Sequence, residues 1–314
     1  MNLKHARTAA LLASIFVVTV TAVESTLPEA SAATLAVPFA TSSPFRTALA
    51  TNATIDPNSS AMIARASRDS QAYANLIAYA IPIYGATSAT PTYTVQCTVT
   101  GWGPCPFAGL KVPIPTGATP SPGTDGSMVV VRQDMNKIFE FWRAKRSGGT
   151  WSTSFGAVNS LDGSGWGGAS TGSGASRLAG VIRLAEIRAG LIPHALSLQT
   201  DNICATVFRA PALKTDGTSR RSDCIPEGAR LRLDPSVDLT KISLTNAERT
   251  VAQALQTYGG YVMDYSGSAL SVSFERDTSA ASNSIGTTYQ QAGLRWDYDG
   301  MPDIPWARLQ VLTS

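Results

Sequence analysis

The sequence predicts a mainly β chain, an antiparallel β-sandwich with one clear amphipathic helix near its C-terminus, and three observations predict it. Residues 138–155, IFEFWRAKRSGGTWSTSF, alternate residue by residue, turn at Ser147-Gly148-Gly149 and run back, as a β-hairpin does. Alternating or β-branched runs recur on both sides of it, in MVVVR from Met128 and HALSLQT from His194. The clearest helical pattern lies over residues 245–258. There Thr245 and Glu248 make a capping box, Val251, Leu255 and Tyr258 recur on one face, and Gly259-Gly260 ends the run.

The N-terminus is of another kind. Lys4, His5 and Arg7 precede an apolar run over residues 8–23, and a polar stretch ends in Ala30-Ser31-Ala32. This order of basic, apolar and small residues predicts a secretory signal over residues 1–32, cleaved after Ala32. The apolar run is shorter than the ~20 residues of a spanning helix, so no stable membrane insertion is expected after cleavage. Cleavage removes Lys4 and Arg7 along with Glu24 and Glu29, leaving the formal charge of +3 unchanged. So small a charge argues against a nucleic-acid partner. Residues 33–314 are expected to form a single secreted domain, extracellular or associated with the cell wall, whose N-terminal stretch to residue 58 is irregular and rich in Ser, Thr, Ala and Pro.

Export permits cystine, and the four cysteines fall into two local pairs, Cys97 with Cys105 and Cys204 with Cys224. Four cysteines allow three pairings, so proximity expresses a preference among them. Zinc-type spacing is absent. After cleavage His194 is the one imidazole left, which excludes any site of several histidine ligands.

Taken in order, Asn58 or Ser59 caps a short helix running to Arg68, and LIAYAIPIY from Leu76 reads as a buried strand interrupted by Pro82. Strand candidates follow at residues 93–98 and at KVPIP from Lys111, an edge strand because proline lacks a ladder donor. Residues 116–126 are a Pro/Gly loop, and MVVVR leads through a turn at Asp134 into the hairpin. Residues 161–174, LDGSGWGGASTGSG, set Trp166 among glycines, either as mobile surface or as a flap over a ligand. LAGVIRLAE from Leu178 reads as strand into a helical turn stopped by Gly190, and IPEGARLRL from Ile225 alternates. Glu227 precedes Gly228, which suggests a turn. Two strands flank Ser266-Gly267-Ser268, and a last strand lies within residues 304–312.

The hairpin carries the candidate chemistry. Glu140 and Trp142 share one face of the first arm, and pairing of Lys145 with Thr150 would bring Trp151 diagonal to Trp142. The face is then either a sugar-stacking platform beside an acid or one wall of a sandwich core. His194 shares its strand face with Leu196 and Leu198, which suits a hydrogen-bonded core residue, while Glu186 nearby in sequence makes a catalytic pair conceivable.

The runs PEGARLRLDPSVDL, AERTVAQALQTYGGYVMDYSG and IPWARLQVL, with IFEFWRAKRSGGTWSTSFGA and AGVIRLAEIRAGLIPHALSL, resemble a recurrent family of exported bacterial β-rich proteins. The resemblance covers most of the chain after the signal. It implies one β-rich domain near the concanavalin-like or jelly-roll sandwiches, and no established chemistry. The E-x-D-x-x-E strand motif of laminarinase-like glycosidases does not occur.

An exported, weakly charged sandwich with six tryptophans suits a polysaccharide or cell-surface glycan. The expectation is a polysaccharide-degrading enzyme, with a non-catalytic glycan-binding or cell-surface module as the alternative. In a hydrolase, Glu140 and a second acid, Glu186 or Asp134, would flank the scissile bond. In a lyase, His194 or a tyrosine would take the proton while Arg143 or Arg177 neutralises a uronate. Trp142, Trp151, Trp166 and Arg177 are the expected substrate contacts. No cofactor is predicted. Asp297 and Asp299 in WDYDGMPD offer oxygens to a structural calcium ion, and the adjacent glycine equally marks a turn.

Overall fold

The computed structural model describes residues 37–168 and 170–313; the signal predicted at residues 1–32 lies outside them. Six short strands form the larger sheet in the order Tyr73–Asn75, Ser271–Ser273, Leu196–Thr200, Gly260–Tyr265, Arg230–Leu233, Leu309–Val311. Strand alternation gives this sheet two unlike faces. Ala74, Leu198, Val262 and Val272 join side chains of the helices Ser59–Ala66 and Asn246–Thr257 in the largest hydrophobic core. On the other face Tyr261 and Met263 meet Ile83, Val129, Val131 and Ile138 of a second sheet.

That second sheet runs Phe155–Ser160, Lys137–Trp142, Met128–Arg132, Ile83–Gly85. Its far face, from Met128, Val130, Phe139 and Phe141, packs on Phe107, Val112, Ile114 and Trp151 in a third core. Helices, sheet, sheet and a disulfide-bearing layer thus follow one another. Both disulfides form within the local pairs, Cys97 to Cys105 and Cys204 to Cys224. Among the described residues no helix is long and apolar enough to cross a membrane.

The chain is mainly β, as expected, but its sheets are mixed, so the expected antiparallel pairing does not hold throughout. Tyr73–Asn75 runs parallel to Ser271–Ser273, Leu196–Thr200 to Gly260–Tyr265, and Ile83–Gly85 to Met128–Arg132. Parallel neighbours require long crossovers. The segments between these partners supply them, one carrying the second disulfide and the helix Asn246–Thr257. The strands flanking Ser266-Gly267-Ser268 are not partners, since Leu196–Thr200 lies between them.

The hairpin keeps its direction and changes its register. Ser147 pairs with Thr150 around a two-residue turn, in which Gly148 and Gly149 take φ values of 54° and 86° that glycine accommodates. Arg143, at φ 56°, breaks the first arm into Lys137–Trp142 and Lys145–Ser147. Trp142 therefore pairs with Phe155, while Trp151 pairs with Arg146 and enters the third core.

The capped helix forms as expected over Asn246–Thr257. Glu248 N donates to Thr245 Oγ1 at 3.2 Å and Thr245 N donates to Glu248 Oε2 at 2.9 Å, while the other Glu248 oxygen accepts Asp303 N at 3.1 Å. Thr245→Ala is expected to lower stability by about 1 kcal/mol. Glu248→Ala should lower it further, because it also frees the Asp303 N–H. Urea unfolding of the two variants checks the ranking, and equal losses would contradict it.

Candidate functional site

The two sheets do not cover each other completely. Beyond the second core, the face of the larger sheet that carries half-buried Tyr73 and Asn75 and buried Ser271, Ser273 and Gln199 is not covered by the second sheet and floors a cleft of about 660 Å³. Side chains on the strand YAN, the strand SVS and the polar half of LSLQT reach this floor by alternation alone, since Ala74, Val272 and Leu198 between them point to the helices. The Gln199 amide orders the floor. Its Nε2 donates to Ser197 Oγ at 2.9 Å and Ser273 Oγ at 2.8 Å, and its Oε1 accepts Ser271 Oγ at 3.1 Å. Tyr79, Tyr265 and Tyr298 are exposed around the rim. Thr124 and Asp125 enter from the loop before the second sheet.

A β-bulge places the acid of this floor. Leu198 pairs with Val262 but Gln199 pairs with Asp264, so the partner strand holds one extra residue, Met263. Without it Asp264 would share the face of Val262 and point into the core. With it Asp264 lies beside Gln199 and lines the cleft. Asp264 Oδ1 accepts Gly172 N at 3.0 Å, and Arg177 Nη1 lies 3.7 Å from Asp264 Oδ2.

Asp216 and Glu227 complete an acidic cluster behind Asp264, with one ligand oxygen of each within 4.8 Å of the others. Glu227 ends the strand Ile225–Glu227 and is fully buried. Its Oε2 accepts Asp216 N at 3.0 Å, and its Oε1 has no hydrogen-bond partner. Burial first and the Asp216 charge second push the Glu227 carboxyl up to about 8. Burial likewise pushes Asp264 up to about 7, against the pull of the Arg177 guanidinium. Asp216 itself is exposed on a loop that Thr215 ties to the Cys204 carbonyl, 3.1 Å away. Two glycines permit this packing. A Cβ on Gly172 would stand 2.4 Å from the Asp216 carboxyl carbon, and one on Gly217 would stand 2.3 Å from the Cys204 carbonyl oxygen.

Of the residues singled out in the sequence, Arg177 lines the cleft, while Trp142 does not but bonds a residue that does, its Nε1 donating to Asp125 Oδ1 at 3.3 Å. Trp102, from the first disulfide loop, stacks on Trp142 with ring centroids 5.5 Å apart, and the Arg143 guanidinium lies 4.2 Å from the Trp142 ring centroid. Trp151 is buried, and Trp166 packs on Phe45 and Tyr261 in the second core. Asp134 is exposed and paired with Arg132. None of these three lines the cleft.

Glu140 faces the interior. Fully buried, it accepts Asn159 Nδ2 at 3.0 Å, Arg177 N at 2.8 Å and the hydroxyls of Ser170 and Ser176. The end of the glycine-rich stretch and the residues after it are accordingly buried from 170 to 180, pinned through Ser170 and Ser176. His194 is buried elsewhere. Its Nδ1 is 2.9 Å from the Ala195 carbonyl and its Nε2 3.0 Å from Glu186 Oε1, while Glu186 Oε2 accepts Arg183 N at 2.8 Å and so caps the helix Leu184–Ala189. Asp297 accepts the N–H groups of Leu76, Ile77 and Ala78, and Asp299 bonds Arg295 and Met301 N, so these oxygens are directed at donors rather than gathered around an ion.

The sequence pattern does not mark the cleft's acids. Asp264 reads there as part of an ordinary strand and Glu227 as part of a turn. The one available signal was the polar half of LSLQT and SVS, a strand face with nothing apolar to bury. Comparisons with protein families, curated proteins and solved structures find no match to the chain.

Two outcomes follow from these contacts. Glu140→Ala leaves four donors without their acceptor and should lower stability by about 3 kcal/mol or more, with faster amide exchange over residues 170–177. Unchanged exchange there would contradict the pinning. For His194, burial pulls the pKa down, but the Glu186 charge and hydrogen bond with the Ala195 carbonyl more than reverse this, leaving it raised above 6.5. Its stabilising contribution is therefore complete below the unfolded value and lost as pH rises through the folded one. The His194 imidazole should titrate above 6.5 by NMR and shift downward in Glu186→Gln.

Proposed function

We propose that the cleft binds a glycan, and that the chain is an exported polysaccharide-recognising protein. One observation carries this reading: an open polar sheet face, set with hydroxyls and amides, is rimmed by exposed tyrosines. Sugars present C–H faces that pack on aromatic rings and a rim of hydroxyls that need both donors and acceptors. The volume of about 660 Å³ lies within the ~300–1,000 Å³ usual for ligand sites. The two disulfides support the exported setting that the N-terminal signal implies.

A hydrolase is the second reading, favoured by three carboxylates, Asp69, Asp125 and Asp264, lining one cleft. Arg177 beside the cleft tyrosines supports testing uronate polymers in the same panel.

The test is calorimetric titration of the secreted chain against neutral and uronic-acid polysaccharides, followed by assay for new chain ends. Tyr79→Ala and Tyr298→Ala should each weaken binding about tenfold. Affinity for no glycan, or affinity untouched by both substitutions, would remove the proposal. Turnover abolished in Asp125→Asn with binding retained would select the hydrolase, and a parent without turnover would select recognition alone.

A further inference from the structure

We propose that Asp216, Glu227 and Asp264 bind a divalent cation of the hard, oxygen-preferring class, Ca²⁺ above all, behind the cleft at Asp264. The inference begins with Glu227. Its side chain is fully buried, one oxygen is engaged by Asp216 N, and the other has no partner although it belongs to a cluster of carboxylates. A buried acceptor without a donor is destabilising, and gathering like charges around it is more so. The positive group paired with the cluster is Arg177, 3.7 Å from Asp264, and one of its terminal nitrogens is already given to the Ser170 carbonyl. A cation between the three carboxylates supplies what Glu227 Oε1 lacks and balances the remaining charge.

Donor chemistry sets the ion's class. All three ligands are carboxylates, without imidazole or thiolate, which suits Ca²⁺ or Mg²⁺ and disfavours zinc and copper. Ca²⁺ fits better, because it accepts an irregular shell of ~6–8 oxygens and three carboxylates leave positions for water. Exposure of Asp216 beside buried Glu227 provides an entry route on one side and a closed wall on the other. The ligands also come from braced elements: a loop tied to Cys204, the strand beginning next to Cys224, and the bulged strand end. Such a site is formed before the ion arrives.

The proposal stands apart from what fills the cleft, so it is tested with the ion alone. After chelator treatment at pH 7, the full secreted chain should bind one Ca²⁺ by calorimetry. Its Tm should rise by roughly 5 °C at Ca²⁺ about a hundredfold above Kd. Mg²⁺ should bind more weakly. Glu227→Gln keeps the shape, removes the charge and should fold, with an ion-free Tm at or above the parent's, while losing the Ca²⁺ response; Asp216→Asn should weaken Ca²⁺ binding at least tenfold. No saturable Ca²⁺ binding at millimolar concentration, or a Ca²⁺ response unchanged in Glu227→Gln, overturns the proposal. A parent that is stabilised by acid and insensitive to Ca²⁺ overturns it too, because the cluster would then hold a shared proton.

Discussion

A single buried carboxylate organises the region around the cleft. Glu140 stands on one of the two inner strands of the four-stranded sheet, and its two oxygens receive a backbone N–H, an amide and two hydroxyls. Three of these donors come from residues 170–177, so a stretch composed almost wholly of glycine, serine, threonine and alanine acquires a fixed path. That path matters because its N–H at Gly172 and its guanidinium at Arg177 are what Asp264 meets. Glu140 therefore acts on the cleft from behind, through the backbone it holds. Charge buried with this many donors is tolerable only while all of them stay in place, and the segment is thereby ordered as a unit.

The second constraint is one of parity. In a regular strand Asp264 would follow Val262 into the hydrophobic core, where a carboxylate has no partner. The extra residue at Met263 reverses the side from which the acid emerges, while Met263 itself still packs in the second core. Floor and acid thus come from neighbouring strands of one sheet by different means, the floor through alternation and the acid through its interruption. The open part of the sheet face can be polar because the second sheet ends short of it.

Features held by local chemistry were legible in the sequence. The capping box at Thr245 and Glu248, the helix stop at Gly190, the hairpin turn and both disulfides depend on residues at most 20 positions apart. Sheet order was not legible, because Tyr73 pairs with Ser271 and Ile83 with Val129, and nothing local encodes such partners. The hairpin illustrates the boundary. Its turn follows from Gly-Gly, but the positive φ of Arg143 changes which face Trp151 takes, and period-two reasoning cannot foresee a residue that leaves the extended region. Alternation alone allows Glu140 to be either platform or core. It is a core residue whose partners lie 19 to 37 positions downstream, one of them, Ser170, in a stretch whose composition suggested mobility.

The acidic end of the cleft is not something folding alone would produce. Like charges separate when nothing opposes it, and a surface aspartate such as Asp216 can turn to water at little cost. Here instead Asp216 lies against a glycine backbone that admits no Cβ, on a loop whose own glycine closes over the Cys204 carbonyl. Glu227 is fixed by strand pairing to Phe208 beneath it, and Asp264 by the bulge. Three independent local devices converge on one destabilising arrangement. Such convergence is what the proposed cation site requires, because crowded carboxylates persist only where the surrounding structure over-determines them.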